Sequence, residues 1–178
     1  MKFAEARLKG VWLIDLLPRY DERGYFMRTV CLDTLAMHSL NTNWVQSNLS
    51  FSAKKGTLRG MHFQKEPSSE IKLIQCITGA IYDVVVDIRR GSPTFGEWVT
   101  FELNEKRPQA LYVPEGFAHG FQCLTDNCRV SYQMSVPYVS QLSGGVRWND
   151  PEIGIKWPLE HGEISERDAA LPLLHELP

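Results

Sequence analysis

Four residues in strand-like text carry groups that an apolar strand does not need for packing. They are His62 in GTLRGMHFQ (56–64), Lys72 in IKLIQC (71–76), His119 in EGFAHGF (115–121) and Tyr132 in VSYQMS (130–135). His62, between methionine and phenylalanine, is either a packed interior imidazole or a base held away from water. Lys72 has apolar neighbours on both sides, and an ammonium facing a protein interior costs several kcal/mol unless it meets an anion or loses its proton. The alternative is an outward-facing Lys72. His119 stands between Gly116 and Gly120, which let a ligand or another backbone approach closely, although a structural histidine fits the same text. Tyr132 reads equally as a core ring with one hydrogen bond or as a phenol aimed at a ligand.

Short runs of β-branched, aromatic and apolar residues, each ended by Gly, Pro, Asn or Asp, recur along the chain and must position these groups. The stretch 71–93 reads as a hairpin across Thr78 and Gly79, with Tyr82, Val84, Val86 and Ile88 on one face. The stretch 107–127 repeats the pattern around a Pro114-Glu115-Gly116 turn, placing Phe117, His119, Phe121 and Cys123 on one face. A further strand is expected over 129–136. Helical signals are confined to Cys31–His38 and to a short start at Ser165-Glu166-Arg167-Asp168. The expectation is an all-β jelly roll or closed barrel with few short helices, in which inward side chains converge on one pocket. Arg59 is three residues from His62 and points the other way on an ideal strand. Both can serve one pocket only if Gly60 marks a bulge.

A length of 178 residues fits one domain spanning 1–178, and a formal net charge of -2 with a pI near 6.2 supplies no basic footprint for nucleic acid. Apolar runs fall well short of the roughly 20 residues that cross a bilayer, and MKFAEARLKG has no signal-like stretch, so a soluble cytoplasmic protein is expected. Cys31, Cys76, Cys123 and Cys128 form no CxxC pair. Buried reduced thiols are expected, and a zinc site is not.

GTLRGMHFQ, Lys72 ten residues after the histidine, VPEGFAHGF, WNDPEIGIKWP and ISERDAALP follow one another in an order and spacing that resembles the dTDP-4-dehydrorhamnose 3,5-epimerase family, from about Asp21 to Pro172. The resemblance implies a double-stranded β-helix, the cupin-like jelly roll, working as a homodimer on a nucleotide-diphosphate keto sugar without metal or organic cofactor. It implies that His62 removes the proton alpha to the C4 ketone and that Asp168 is its carboxylate partner. Lys72 would face the C4 oxygen, and Tyr132 would return a proton from the opposite side. Arg23, Gln46, Asn48, Arg59, His119, Tyr138 and Arg167 match positions that bind nucleotide, diphosphate or sugar. These types suit the chemistry: an imidazole near neutral pKa as base, a cation where charge develops, and guanidinium forks for phosphate. Many cupins hold metal through a His-x-His pair and a glutamate, and that pair is missing here.

Two family carboxylates are absent. Arg28 stands where DxRGFFxE carries its glutamate, and Ser143 stands where a glutamate precedes the glycine after Tyr138. These departures leave the four-residue set intact and open three readings: inversion at C3 and C5 of a dTDP-4-keto-6-deoxyhexose, action on a GDP- or CDP-linked keto sugar or at one carbon only, and a non-catalytic cupin that binds a nucleotide sugar.

Overall fold

The computed structural model describes residues 1–177. Its strands are β1 (Lys2–Glu5), β2 (Trp12–Asp15), β3 (Arg19–Asp21), β4 (Gly24–Phe26), β5 (Gln46–Ser52), β6 (Leu58–Gln64), β7 (Lys72–Thr78), β8 (Ala80–Asp87), β9 (Trp98–Asn104), β10 (Gln109–Val113), β11 (Phe117–Cys123), β12 (Cys128–Met134) and β13 (Ser143–Gly145). The two short α-helices are α1 (Leu32–Met37) and α2 (Glu166–Ala169). One antiparallel sheet runs β1-β2-β10-β7-β12-β5 and a second runs β13-β6-β11-β8-β9, while β3 and β4 form a separate hairpin. The chain shuttles between the two large sheets, which is the antiparallel jelly-roll arrangement expected from the sequence.

The 71–93 stretch corrects one expectation. β7 and β8 follow each other across Gly79 but belong to different sheets, so they form a corner and not a hairpin. The pairs are β7 with β10 and β12, and β8 with β9 and β11. The same correction applies at 114–116, where β10 passes to β11 in the other sheet. Gly79 turns the corner at φ +81, and a Cβ there would lie 2.6 Å from Thr125 Oγ1 and 2.9 Å from Cys128 Sγ. Only glycine fits both the backbone and the space. A strand-turn-strand pattern cannot separate a hairpin from a sheet-to-sheet corner, because period-two alternation is the same in both.

Three apolar layers result. Ile74, Val85, Leu111, Phe117, Phe121 and Val130 fill the space between the sheets. Val84 and Val86 face the other way with Met61 and Ala118, and are covered by Val146, Ile153 and Leu174 from the C-terminal segment. The outer face of the first sheet packs Leu73, Ala110 and Tyr112 under Leu35 of α1. Both faces of β8 are therefore dry, which explains its unbroken Val84-Val85-Val86 run. All four cysteines are free; Cys76, Cys123 and Cys128 are buried, whereas Cys31 at the start of α1 is partly exposed. Among the described residues no helix is long and apolar enough to cross a membrane.

Candidate active site

The expected bulge is present on β6. His119 of β11 stands opposite His62, while Phe121 stands opposite Arg59, so three steps on β6 face two on β11. The extra residue turns Arg59 and His62 toward the same side. Gly60 adopts φ +133, and a Cβ on it would meet Gly120 Cα at 2.5 Å. The residue directly after the arginine is therefore glycine for a steric reason.

Both residues line a cavity of about 260 Å³ between the sheets. The second sheet contributes Arg59 and His62 from β6 and His119 from β11. The first sheet contributes Lys72 from β7, Tyr132 from β12 and Asn48 from β5. Tyr138, Ser143 and Arg167 complete the rim. Lys72 thus points inward and is 6% exposed. Its Nζ donates to the His62 carbonyl oxygen at 2.9 Å and pairs with Glu70 Oε1 at 2.9 Å.

Asp168 stands behind His62. Ser165 caps the short helix α2 by accepting from the Asp168 amide at 3.1 Å, which aims the carboxylate at β6. Oδ1 lies 2.7 Å from His62 Nε2, and Oδ2 accepts from the Gly60 amide at 3.0 Å. The Asp168 side chain is 7% exposed and that of His62 is 36% exposed, so the imidazole alone reaches the cavity. Burial by itself would raise the Asp168 carboxyl, but the hydrogen bond and charge of His62 and the Gly60 and Ser165 hydrogen bonds hold it below its ordinary value. The carboxylate is ionised, fixes the tautomer through Nε2 and leaves His62 Nδ1 for the cavity.

Tyr132 faces His62 from the opposite sheet. Its hydroxyl lies 3.4 Å from Ser50 Oγ, and burial pushes the phenol well above its usual range, only partly opposed by that contact. The phenol stays protonated through neutral pH and can serve as an acid.

The remaining sequence candidates divide. Gln46 lies beside the cavity: its Nε2 donates to Asn48 Oδ1 at 3.1 Å and its Oε1 accepts from the Tyr138 amide at 3.1 Å, so it braces two lining residues. Arg23 lies outside the cavity, in the β3–β4 turn, with its side chain 90% exposed and paired with Asp21 at 2.7 Å. Arg28 is also remote, lining a separate depression with Arg19 and Cys31. Ser143, by contrast, lies in the cavity and accepts from Arg167 Nη2 at 2.6 Å. Sequence reasoning missed Glu70 and Asp83, the latter lying 2.9 Å from His119 Nε2. The one available signal was Asp83 itself, a charge inside the apolar run IYDVVVDI. Among the described residues no three or more His, Cys, Asp and Glu side chains are grouped to hold a metal ion.

A base steered by a carboxylate, an ammonium, and a phenol facing the base across a small cavity form a set suited to moving a carbon-bound proton from one face to the other. The comparisons agree with that chemistry. The family model for dTDP-4-dehydrorhamnose 3,5-epimerase matches residues 5–176. A dTDP-4-dehydrorhamnose 3,5-epimerase of Sinorhizobium fredii is 44% identical over 179 residues, covering 100% of this chain and 92% of the relative. The Bacillus anthracis dTDP-4-dehydrorhamnose 3,5-epimerase with TDP and PPi bound superposes with a TM-score of 0.94 at 40% identity, covering 97% of this chain and 98% of that one. A 3'-monoepimerase from Streptomyces bikiniensis in complex with dTDP-quinovose gives a TM-score of 0.90 at 31% identity, covering 96% and 87%. Because the family model matches residues 5–176, from the end of β1 through α2, the chain belongs to the dTDP-4-dehydrorhamnose 3,5-epimerase family.

Proposed function

We propose that this protein is a cofactor-independent 3,5-epimerase of a dTDP-linked 4-keto-6-deoxyhexose. The observation that carries the reading is that His62 and Tyr132, on opposite sheets, line one cavity together with the buried Lys72. His62 Nδ1 takes the proton from C3 or C5, and the Asp168 carboxylate stabilises the imidazolium that forms. Charge moves to the C4 oxygen, where Lys72 meets it as an enolate. Tyr132 then delivers a proton to the opposite face of the same carbon, which inverts it. Arg59 and Arg167 suit the diphosphate, and Tyr138 at the rim supplies a ring for the base to stack on.

Incubation with the dTDP-4-keto-6-deoxyhexose in deuterium oxide should place label at both C3 and C5, and absence of exchange at either carbon would refute the reading. Ser143 supports a second possibility, an enzyme inverting one carbon, because a neutral hydroxyl replaces a carboxylate beside Arg167. Label at one carbon alone selects it. A panel of GDP- and CDP-linked keto sugars tests the nucleotide. A non-catalytic binder is separated by His62→Ala, which would keep ligand affinity while the native protein exchanged nothing.

The same proposal includes one domain over residues 1–178, a cytoplasmic location and a homodimer. Exposed Tyr20, Tyr25 and Phe26 on the β3–β4 hairpin, together with Leu49 and Phe51 on the outer face of edge strand β5, form apolar surface that a second copy would cover. Arg23 rides on that hairpin, so a partner's hairpin is the means by which this residue reaches a cavity. Sedimentation at working concentration should give twice the chain mass, and a monomer would overturn this part.

A further inference from the structure

Asp83 is 0% exposed on β8, between the inward-facing Ile81 and Val85, and no step described above uses it. Both its oxygens lie 2.9 Å from His119 Nε2, which is its only side-chain hydrogen-bond partner among the described residues. An ionised carboxylate with a single donor in such a place is strongly disfavoured unless the donor carries the matching charge. Burial pushes the Asp83 carboxyl above its ordinary range, opposed by the charge and hydrogen bond of His119 and by the charge of Lys72. The pair is satisfied when it holds two protons, as carboxylate and imidazolium or as carboxylic acid and neutral imidazole, and in both forms Nδ1 keeps its proton while Nε2 faces Asp83.

With Nε2 committed to Asp83, Nδ1 is the only polar atom the His119 ring retains, and it has no hydrogen-bond partner among the described residues. The side chain is 5% exposed and lines the cavity. His62 and Arg59 adjoin it from β6, Lys72 faces it from β7 and Tyr132 from β12, the last with ring centroids 6.4 Å apart; Glu70, paired with Lys72, lines the same cavity. His119 therefore shares the cavity with the reacting groups and is the register partner of His62.

We propose that Asp83 is a positioning residue of the epimerase reaction: holding His119 through Nε2, it presents a protonated Nδ1 that donates to the ketone oxygen beside Lys72. No proton leaves the ring. The hydrogen bond strengthens as the ketone becomes an enolate and relaxes as the carbon is reprotonated, so the pair acts as a second preorganised donor. The proposal rests on the epimerase reading.

Asp83→Asn keeps the shape and removes the charge. Deuterium exchange at C3 should fall on the order of 100-fold in kcat with little change in KM. The alkaline limb of kcat should also move to lower pH, because the amide no longer holds the ring proton. Wild-type kcat and an unchanged pH profile in a folded variant would overturn the proposal. If the variant does not fold, nitrogen-15 histidine spectra of the wild-type protein decide, the His119 signals being assigned by their loss in His119→Asn. A proton on His119 Nδ1 at neutral pH supports the role and a bare Nδ1 refutes it. A wild-type protein that exchanges nothing defeats the epimerase reading, and the ring-proton measurement still decides whether Asp83 keeps His119 Nδ1 protonated.

Discussion

Asp168→Asn tests the steering of His62 more sharply than deletion of the side chain does. The Gly60 amide donates to Oδ2 at 3.0 Å, so an asparagine will turn its oxygen to Gly60 and its NH2 to His62 Nε2. That donor forces Nε2 to accept, puts the ring proton on Nδ1 and leaves the cavity face of His62 unable to take a proton. The charge-assisted bond it replaces is worth about 1.5–3 kcal/mol. Turning the amide over to recover the productive tautomer sets two donors together at Gly60, a further cost of about 1–3 kcal/mol for a buried unsatisfied group. Together these predict a loss in kcat of roughly 10²- to 10⁴-fold. Asp168→Ala loses the charged bond but imposes no tautomer, so its loss should be smaller, roughly 10- to 150-fold. The assay is the initial rate of solvent-deuterium incorporation at C3 and C5, followed by NMR. An asparagine variant as active as the alanine variant, or one keeping more than about a tenth of wild-type kcat, would refute the tautomer reasoning.

Tyr132→Phe should keep His62-dependent exchange of the abstracted proton while slowing inversion by about 10²-fold or more, since only the return from the opposite face is lost. Comparing exchange with formation of inverted product separates the two, and equal losses would count against the assigned roles. Gly60→Ala should destabilise the fold by about 2 to 5 kcal/mol in urea unfolding, because φ +133 is strained for alanine and its Cβ would lie 2.5 Å from Gly120 Cα. Asp87 tests the acid limb. Burial would raise its carboxyl, but hydrogen bonds from Arg89, Ser92 and Thr94 outweigh that and lower it from 3.8 to about 2. A depressed folded value means that the stabilisation is fully present above pH 3.8 and is lost as pH falls toward 2. Asp87→Asn should therefore cost about 2 kcal/mol at neutral pH and flatten the stability profile between those values. An unchanged acid limb would show that the Arg89 contact contributes nothing net.

Residue types and near-neighbour spacing determined much of this protein. The alternation in 107–136 placed His119 and Tyr132 on strand faces, the Ser165–Asp168 start marked the helix that aims a carboxylate, and Gly60 signalled a bulge between Arg59 and His62. These features are local: they depend on period, capping and the steric freedom of one residue, all of which are present in a few adjacent letters. The tertiary structure decided which strands pair. Gly79 and Gly116 turn corners between sheets where hairpins were expected, and that crossing puts Lys72 and Tyr132 on one wall and His62 and His119 on the other. It also decided the carboxylate partners. Asp83 is separated from His119 by 36 residues and Asp168 from His62 by 106, and nothing in either local stretch names its partner. Pairings of that kind follow from sheet register and burial, because a charge inside a protein must find its counter-group in space and not along the chain.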